Sequence, residues 1–451
     1  MKKPQTPPDF ESILKRPGAF TRLSELVRLP VEGYPHWDKL RRLPIPAGFE
    51  HEEWWAAIKV SRLHALKPIP LTDKFGKPFQ VSTPDQLASQ LHEIDMGAGG
   101  RIGMLEPVTN PQTRDQYLVN SLMHEAITSS QLEGAVTTRV VAKEMLRTGR
   151  PPRDKSEQMI RNNYYTMRRI IELQERDLTP ELVLEIHRIV TEGTLGDGGS
   201  AGRLRMDGEP VTVEDETGEV FHYPPPASEL PDRMLKMCEF ANGTTPVFFL
   251  HPVVRAILLH FWLAYDHPFL DGNGRTARAL FYWGMLHSGY WLVEFISISD
   301  ILRRAPVKYY RSFLYSETDD NDATYFVVHQ AEVIRQAIQR LHAYIDRKSR
   351  ELQEGERLLR AWDMLNRRQV AIITHALRHP GTLYTIEGHQ ESHKTAYDTA
   401  RKDLLSLAEE GLLRMGKRGR MMIFTPAQDL YEKIQTKGAS PNPFSSPPPP
   451  R

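Results

Sequence analysis

One short stretch constrains the fold of this chain more than any other. Residues 267–278 read His-Pro-Phe-Leu-Asp-Gly-Asn-Gly-Arg-Thr-Ala-Arg. Pro268 disfavours the α conformation in the residue before it, so the apolar helix that precedes the stretch is expected to end near Asp266. Two glycines then allow a sharp turn, and a new helix is expected to begin around Asn273 to Arg275. The sequence therefore predicts two consecutive helices joined by a tight bend.

The bend carries the features of an anion site. Gly272 and Gly274 let the backbone approach a ligand closely. The helix start that follows presents unpaired N–H groups and the positive end of a dipole. Arg275 and Arg278 lie three residues apart, so both can project from one side of the first turns and clamp phosphate oxygens.

Two further side chains complete the set needed for phosphate chemistry. Asp271 offers a hard oxygen ligand suited to Mg²⁺, which is normally held by one or two carboxylates together with substrate phosphates. His267 has an ordinary pKa of about 6.5 and can accept a proton at neutral pH. Each of these residues alone has a structural explanation, but their joint occurrence favours phosphoryl or nucleotidyl transfer.

The stretch resembles the signature of the Fic family, His-Pro-Phe-x-Asp/Glu-Gly-Asn-Gly-Arg-x-x-Arg, at every defined position. The surrounding residues that also match the family are His251-Pro252, Ala256, His260, Tyr309-Tyr310 and Asp322-Ala323-Thr324. The likeness covers roughly residues 112–345. It implies a mainly α fold: a Fic-type helical bundle with a β-hairpin flap, here followed by a small α/β winged-helix domain.

The resemblance implies transfer of AMP from ATP to a Tyr, Thr or Ser hydroxyl of a target protein, with His267 as general base and Asp271 as the Mg²⁺ ligand. The nucleotide-binding residues that it implies are Gly272, Asn273, Gly274, Arg275, Thr276, Ala277, Arg278, Tyr309 and Tyr310. Related Doc kinases replace the second glycine, so the presence of Gly274 favours AMP transfer over phosphate transfer.

The segment 210–223 alternates like two strands on either side of a polar, glycine-containing turn, which predicts a β-hairpin. By resemblance this hairpin is the flap that pins the target segment by strand addition. Its target-binding residues are expected to be Val211, Thr212 and Val213.

A second motif predicts a built-in brake. Ser129 and Glu133 lie four residues apart and so share one helix face, and Gly134 follows them. This run resembles the family's inhibitory motif, Ser/Thr-x-x-x-Glu-Gly/Asn. The resemblance implies that Glu133 pairs with Arg278 and removes the site of the ATP γ-phosphate. In some relatives the glutamate instead activates water for AMP removal, and the sequence leaves both roles open.

The C-terminal segment is predicted to be a winged helix. Arg367 to Leu377 is expected to form one helix with Asn366 as its N-cap, and Thr395 is expected to cap a recognition helix. A hairpin wing is expected over 414–424. The candidate DNA-binding residues are Arg401, Lys402, Lys417, Arg418 and Arg420. The open alternative is a protein-interaction or dimerisation module.

Composition limits the class of protein and its expected location. The 451 residues carry a formal net charge of +1 and 40% apolar residues, which does not indicate a nucleic-acid-coated or membrane protein. A cytoplasmic location without a membrane partner is expected, and the single Cys238 excludes an internal disulfide framework. The expected segments are an N-terminal helical extension (1–110), the catalytic domain with its inhibitory helix (111–345), a helical linker (346–362), the winged helix (363–435) and a disordered proline-rich tail (436–451).

The leading hypothesis is an autoinhibited protein adenylyltransferase that uses ATP and Mg²⁺ and modifies an unidentified target protein and itself. De-AMPylation or transfer of another nucleotide at the same site is one alternative. An ATP-sensing, DNA-binding regulator is the alternative from another class. A homodimer is a candidate assembly, because Fic proteins of this kind often form dimers.

Overall fold

The computed structural model describes residues 2–27, 31–45, 47–99, 111–196, 199–209, 211–214, 217–360, 362, 364–418 and 421–438. The chain falls into two units, one containing residues 1–103 and 117–340 and the other containing 104–116 and 341–451. No helix in these described ranges is both long and apolar enough to cross a bilayer.

The N-terminal part of the first unit consists of short helices and one hairpin. The helices are Phe10–Leu14, Ala19–Leu26, Trp37–Leu40, His51–Leu63 and Asp85–Ile94, the strands are Lys67–Thr72 and Pro78–Val81, and a π-helical turn covers Asp95–Gly99. The tryptophans of this part, Trp37, Trp54 and Trp55, are buried in a common apolar cluster. The antiparallel hairpin 67–81 was not predicted from the sequence.

The rest of the first unit is mainly helical, as the sequence predicts. The α-helices that lie wholly in it are Arg139–Thr148, Lys155–Glu172, Pro180–Thr191, Leu230–Ala241, Pro252–Asp266, Asn273–His287, Ile298–Arg304 and Pro306–Thr318, with 3₁₀ turns at Ala227–Glu229 and Trp291–Phe295. Two further helices, Pro111–Leu132 and Thr324–Arg360, have most or part of their length in this unit and the rest in the second. Two helices matter most below. We call Pro111–Leu132 the brake helix, after the role predicted for the residues at its C-terminal end, and Asn273–His287 the motif helix.

The helix Pro252–Asp266 lies at the centre of the bundle. Its side chains are buried on almost every face, from Val253 to Tyr265, which is typical of a helix surrounded by other helices. The motif helix packs directly against it. A Cβ at Gly284 would lie 3.1 Å from the Cβ of Ala256, so this close crossing depends on a residue without a side chain.

The predicted hairpin of the flap is present but short. Strand Val213–Glu214 pairs antiparallel with strand Val220–His222. Val211 and Thr212 lie outside the strand, and positions 210, 215 and 216 lie outside the described residues.

The second unit contains three helices followed by a two-stranded hairpin. The helices are Arg367–Arg378, Ile386–His393 and Tyr397–Glu409, the strands are Leu413–Arg418 and Met421–Pro426, and a last helix covers Leu430–Gly438. A β-bridge joins Tyr384 to Phe424, and the unit has its own apolar core. The helices Arg367–Arg378 and Tyr397–Glu409 and the hairpin correspond to predicted elements, whereas the helices Ile386–His393 and Leu430–Gly438 were not predicted. The assignment as a winged helix stays a prediction.

Of the two N-caps predicted in this unit, one is present and the other is wrong. Asn366 and Gln369 form the predicted capping box. Thr395, however, is not an N-cap: the helix begins at Tyr397 after Ala396, which has no side-chain oxygen to cap it. The preceding helix ends at Lys394 in a left-handed conformation with φ 47°, so Thr395 belongs to the turn between two helices. The predicted disordered tail begins three residues too early, because residues 436–438 belong to the helix Leu430–Gly438. The rest of that tail, 439–451, lies outside the described residues.

Candidate functional site

His267 lies where the central helix ends. It adopts a left-handed conformation with φ 46° and ψ 56°, and its N–H donates to Leu263 O. Such a conformation is uncommon in a residue with a side chain and persists only where neighbours hold it. The Nε of Arg205 donates to His267 O at 3.0 Å, and the Arg205 N–H donates to Pro268 O at 2.9 Å. The two residues of the bend are therefore held from outside their own helix.

The protonation state of His267 follows from its surroundings. Burial lowers the pKa of its imidazole to about 4, so the ring is neutral at pH 7. Nδ1 lies 3.1 Å from Ala264 O, which can only accept a hydrogen bond. Nδ1 therefore carries the proton, and Nε2 is the nitrogen able to take one up.

A histidine that was not predicted from the sequence contacts the loop between the central helix and the motif helix. His187 stacks on Phe269 with ring centroids 3.7 Å apart and planes 4° apart. Its Nδ1 accepts from the Gly202 N–H at 3.0 Å, and its Nε2 donates to Asp271 O at 2.9 Å. Nothing in the sequence near His187 signals this role, because its partners are distant in the chain.

Asn273 and Gly272 complete the bend. The Asn273 carboxamide accepts from the Phe269 N–H at 3.0 Å and donates to Phe269 O at 2.8 Å. This buried side chain is therefore used to hold the loop. Gly272 has φ 82°, and a Cβ there would lie 2.6 Å from Cγ2 of Thr191, so both the conformation and the packing require glycine.

The two arginines of the motif are almost fully buried. Arg275 is 1% exposed, and its Nη1 donates to Val190 O at 2.9 Å. Arg278 is also 1% exposed, and its Nε donates to Ser129 Oγ at 2.9 Å. Within the described residues, Nε and Nη2 of Arg275 and Nη1 of Arg278 have no hydrogen-bond acceptor. Buried donors without acceptors are rare, and here they lie in the first turns of a helix that already favours an anion.

The brake helix ends against Arg278. Nη2 of Arg278 lies 2.8 Å from Oε1 of Glu133, and it also donates to Ser129 O at 3.1 Å. The Glu133 carboxylate lies directly beside the backbone of Gly274, where an added Cβ would come 2.9 Å from Cδ of Glu133. Gly134, with φ 89°, turns the chain away after this contact.

A buried carboxylate ties the brake helix to the bundle two turns earlier. Glu125 is 1% exposed. It accepts hydrogen bonds from the hydroxyls of Ser297 and Ser299, at 2.7 and 2.5 Å, and from the Ser299 N–H at 3.2 Å. Burial raises the pKa of Glu125. The position of Glu133 is therefore set by the whole helix.

The remaining predicted nucleotide residues differ in how they are placed. The Tyr309 ring is buried, and its hydroxyl lies 2.8 Å from Nε2 of His260. Tyr310 is 40% exposed, with its ring centroid 5.3 Å from that of Tyr309. Thr276 donates to Gly272 O at 2.9 Å and is buried with Ala277 inside the motif helix. The side chains of Thr276 and Ala277 therefore pack inside the protein.

Asp271 is the accessible acid of the bend. Its side chain is 49% exposed and lies 3.6 Å from Nη2 of Arg275. Oδ1 accepts from the Gly272 N–H at 2.5 Å. In the parts of the chain that are described, no group of three or more His, Cys, Asp or Glu residues is arranged to hold a metal ion. One exposed carboxylate suits Mg²⁺ when phosphate oxygens supply the other ligands.

The flap is attached close to His267. On its second strand, His222 lies with Nε2 2.7 Å from Tyr265 O and Nδ1 2.8 Å from Oε2 of Glu317. Burial would lower the pKa of His222, but the charge and hydrogen bond of Glu317 hold it above its ordinary value. Val213 pairs with His222, and His222 in turn contacts Tyr265 near the end of the central helix. The predicted flap residue Val213 is thus connected to that helix through His222.

The candidate DNA-binding residues belong to the second unit. Arg401 and Lys402 are exposed on the helix Tyr397–Glu409, and Lys417 is exposed on the first strand of the hairpin. Arg418 ends that strand, while Arg420 lies outside the described residues.

Taken together, the bend offers a neutral imidazole, an exposed carboxylate and buried guanidinium donors around one helix start. This set can bind a polyphosphate, hold a divalent cation and remove a proton from a nucleophile.

Comparison with known proteins agrees with this chemistry. Residues 177–285 match the model of the Fic/DOC family. A Protein adenylyltransferase Fic from Nematostella vectensis is 35% identical over 119 residues, covering 26% of this chain and 25% of that protein. The protein of the same name from Drosophila yakuba is 33% identical over 121 residues, covering 26% of this chain and 22% of that protein. The match thus spans about a quarter of the length of these curated relatives.

A solved structure supports the fold over a larger part of the chain. The crystal structure of a Fic family protein from Desulfovibrio desulfuricans G20 aligns with a TM-score of 0.51 at 18% sequence identity. The alignment covers 76% of this chain and 97% of that one. At this identity the likeness concerns the fold alone.

Proposed function

The chain carries a Fic/DOC domain, and we propose from that premise that it is an autoinhibited protein adenylyltransferase. It transfers AMP from ATP to a Tyr, Thr or Ser hydroxyl of a target protein. The named relatives support the activity, and the geometry of the bend supports the assignment of roles to residues.

The buried, unsatisfied donors of the two arginines carry this proposal. Nε and Nη2 of Arg275 and Nη1 of Arg278 lack an acceptor among the described residues. A buried N–H group without an acceptor costs about 1–3 kcal/mol, so the oxygens of an anionic ligand that accept from these three nitrogens would be stabilised. The triphosphate of ATP supplies such oxygens, and the helix start beside Gly272 and Gly274 adds backbone donors.

His267 would remove the proton in the transfer step. The target hydroxyl oxygen bonds to the α-phosphorus, the bond from that phosphorus to the bridging oxygen breaks, and pyrophosphate leaves. The hydroxyl proton passes to Nε2 of His267, since Nδ1 donates to Ala264 O. Asp271 would hold Mg²⁺, which neutralises phosphate charge when bound.

The flap strand Val213–Glu214 would hold the target segment by strand addition, which places the hydroxyl without requiring a particular side chain. His222 anchors this flap to Tyr265, close to the base. Val211 and Thr212 would extend the pairing edge beyond the strand.

Glu133 would act as the brake, because its carboxylate already occupies one side of Arg278 at 2.8 Å. A phosphate oxygen and this carboxylate compete for the same guanidinium group, and both are negatively charged. A bias of about 1.4 kcal/mol toward the closed state lowers the open population tenfold.

The test compares the wild type with Glu133→Gly, Glu133→Gln, His267→Ala and the double variant Glu133→Gly/His267→Ala, using ATP labelled at the α- or the γ-phosphate with Mg²⁺. We expect α-label, and no γ-label, to appear on protein, with Glu133→Gly at least about tenfold above wild type and Glu133→Gly/His267→Ala at background. Gln131→Gly is the matched control, since it loosens the same helix end without removing the carboxylate. Equal labelling of wild type and Glu133→Gly would exclude the brake.

Two alternatives make different predictions in the same assay. A de-AMPylase releases AMP from previously modified protein in a manner that needs Glu133. Transfer of another nucleotide appears when labelled GTP, CTP or UTP replaces ATP. Mass spectrometry of the labelled protein identifies auto-modified residues and the mass added.

Exposed basic residues on the second unit favour a further candidate function, DNA binding. Arg401 and Lys402 are exposed on one helix and Lys417 on the hairpin. We expect the full chain to retard duplex DNA with a steep salt dependence, and Arg401→Ala/Lys402→Ala to weaken it. Absence of retardation, together with a dimer that these substitutions dissociate, would instead identify a dimerisation surface.

A further inference from the structure

Two exposed aromatic side chains and a lysine meet beside the flap. Phe75, at the tip of the hairpin 67–81, is 84% exposed, and Tyr223, directly after the second flap strand, is 58% exposed. Lys74 lies between them, with Nζ 5.3 Å from the centroid of the Phe75 ring and 5.4 Å from that of Tyr223. We call these three residues the tip patch. Large exposed aromatics grouped in this way are more typical of a binding surface than of solvent contact.

The tip is held rigidly. Oδ1 of Asp73 accepts hydrogen bonds from the N–H groups of Phe75 and Lys77, at 2.8 and 2.9 Å. Oδ2 of the same carboxylate accepts from Nδ2 of Asn321 at 2.9 Å. The ring of Phe75 is therefore presented by an ordered turn, which lowers the entropy lost when a partner binds.

The hairpin is also attached to the helix end that carries the base. Arg233 donates from Nη2 to Thr72 O at 2.6 Å and bonds the buried carboxylate of Asp266 at 2.6 Å. Asp266 immediately precedes His267. The tip patch consequently keeps a constant position relative to the proposed catalytic base.

The charge of Lys74 is available to a partner. In the described ranges no carboxylate lies within 4 Å of its Nζ, whereas the neighbouring Lys77 pairs with Asp320 at 2.9 Å. The cation instead lies near two aromatic faces, an arrangement that holds it in place and gives it no carboxylate partner among the described residues.

We propose that the tip patch is a docking surface for the target protein, and that the target segment bears a carboxylate and a bulky apolar side chain near the hydroxyl to be modified. This inference rests on the proposed function. His222 pairs with Val213 of the strand that would hold the target, and Tyr223 directly follows His222. The patch therefore lies one strand away from the bound target segment. Lys74 then selects the carboxylate, and Phe75 and Tyr223 contact the apolar side chain.

The experiment uses the full chain in the Glu133→Gly background and short fluorescent peptides with a central tyrosine. In one set of peptides, each position flanking the tyrosine is in turn glutamate or lysine. In the other set, each of these positions is in turn phenylalanine or alanine. Both AMP transfer and peptide binding by fluorescence anisotropy are measured. Lys74→Glu and Phe75→Ala are the test variants. Lys236→Glu and Phe20→Ala are matched controls, since both side chains are exposed elsewhere.

We expect glutamate and phenylalanine peptides to be preferred by about tenfold in kcat/KM, a size typical of one important interface contact. Lys74→Glu should invert the charge preference toward lysine peptides, Phe75→Ala should abolish the apolar preference, and the controls should change neither. The inversion would raise kcat/KM for the lysine peptides, and a misfolded variant does not show such an increase.

Three results would overturn the docking proposal. Transfer without any peptide preference leaves the enzyme assignment standing and removes the docking surface. If Phe75→Ala dissociates a dimer and leaves peptide preferences unchanged, the patch contacts a second copy of the chain. Absence of both transfer and binding overturns both proposals, whereas charge-selective binding without transfer supports docking and overturns only the activity.

Discussion

The carboxylate of Glu133 rests against the backbone of Gly274. A Cβ at position 274 would have all three of its nearest neighbours in Glu133, with Cδ at 2.9 Å and Oε2 at 3.1 Å. The contact lets Oε1 reach Nη2 of Arg278 at 2.8 Å. Besides the close backbone approach to a ligand that is predicted for it, Gly274 therefore leaves the space in which the Glu133 carboxylate lies.

The contact between Glu133 and Gly274 predicts that Gly274→Ala changes the free energy of unfolding in opposite directions with and without the Glu133 side chain. Gly274→Ala should destabilise the wild type by about 1–3 kcal/mol, since the new Cβ displaces Glu133 and leaves Arg278 buried with fewer partners. In a Glu133→Ala background the same substitution should stabilise by about 0.5–1 kcal/mol, because alanine favours the motif helix over glycine. Urea unfolding of the four proteins forms the double-mutant cycle. Additive effects would mean that the contact does not form in solution.

The sequence predicted the bend and the two helices around it because proline and glycine act locally. Pro268 ended the central helix at Asp266 as expected, and the motif helix began at Asn273. The pairing of Glu133 with Arg278 was also expected, although it came from family resemblance.

What the sequence did not predict depends on distant contacts. His187 supports Asp271 from 84 positions away, and Arg233 bonds a carbonyl 161 positions away at Thr72. Local patterns contain no information about such partners. Thr395 was expected as an N-cap because Asp398 stands in a capping-box-like position three residues further on, but the helix begins at Tyr397, after the left-handed Lys394.

The pKa of His267 predicts an unusual pH profile. Because burial lowers this pKa to about 4, the base stays neutral from pH 8 down to about 5.5. In the Glu133→Gly variant we expect kcat/KM for AMP transfer to show no inflection near about 6.5, the ordinary value for histidine. A fall in kcat/KM centred near that value would contradict the lowered pKa of His267.

The same shift predicts how stability varies with pH. The unfolded chain binds protons on histidine below about 6.5, whereas native His267 and His187, with pKa values of about 4, do not. The free energy of unfolding should therefore decrease as pH falls from about 6.5 toward about 4. Denaturant melts at several pH values measure this, and a constant stability across the window would argue against both lowered pKa values.

Asp271 should affect activity without affecting stability. Its side chain is 49% exposed, and the carboxamide introduced by Asp271→Asn would keep an oxygen acceptor for the Gly272 N–H. This substitution should change the free energy of unfolding by less than about 0.5 kcal/mol but lower AMP transfer by about a hundredfold or more at a given Mg²⁺ concentration. Asp207→Asn is the matched exposed control. If neither Asp271→Asn nor a chelator reduces transfer, Asp271 is not the metal ligand.

His187 should be needed for both the fold and the reaction, although it has no assigned contact with either substrate. His187→Ala removes a buried ring that stacks on Phe269 and leaves the Asp271 carbonyl and the Gly202 N–H without their partner. We expect a loss of about 3–5 kcal/mol in unfolding free energy. His64→Ala, at an exposed helix end, should cost no more than about 0.5 kcal/mol.

The effect of His187→Ala on the reaction should be separable from its effect on the fold. Below the melting temperature, kcat should fall while the apparent affinity for ATP changes less, because the hydrogen bonds of the two arginines go to Val190 and Ser129, which lie outside the loop. Steady-state kinetics of AMP transfer in the Glu133→Gly background measure both quantities. Unchanged kcat in a folded His187→Ala protein would show that the bend keeps its shape without this support.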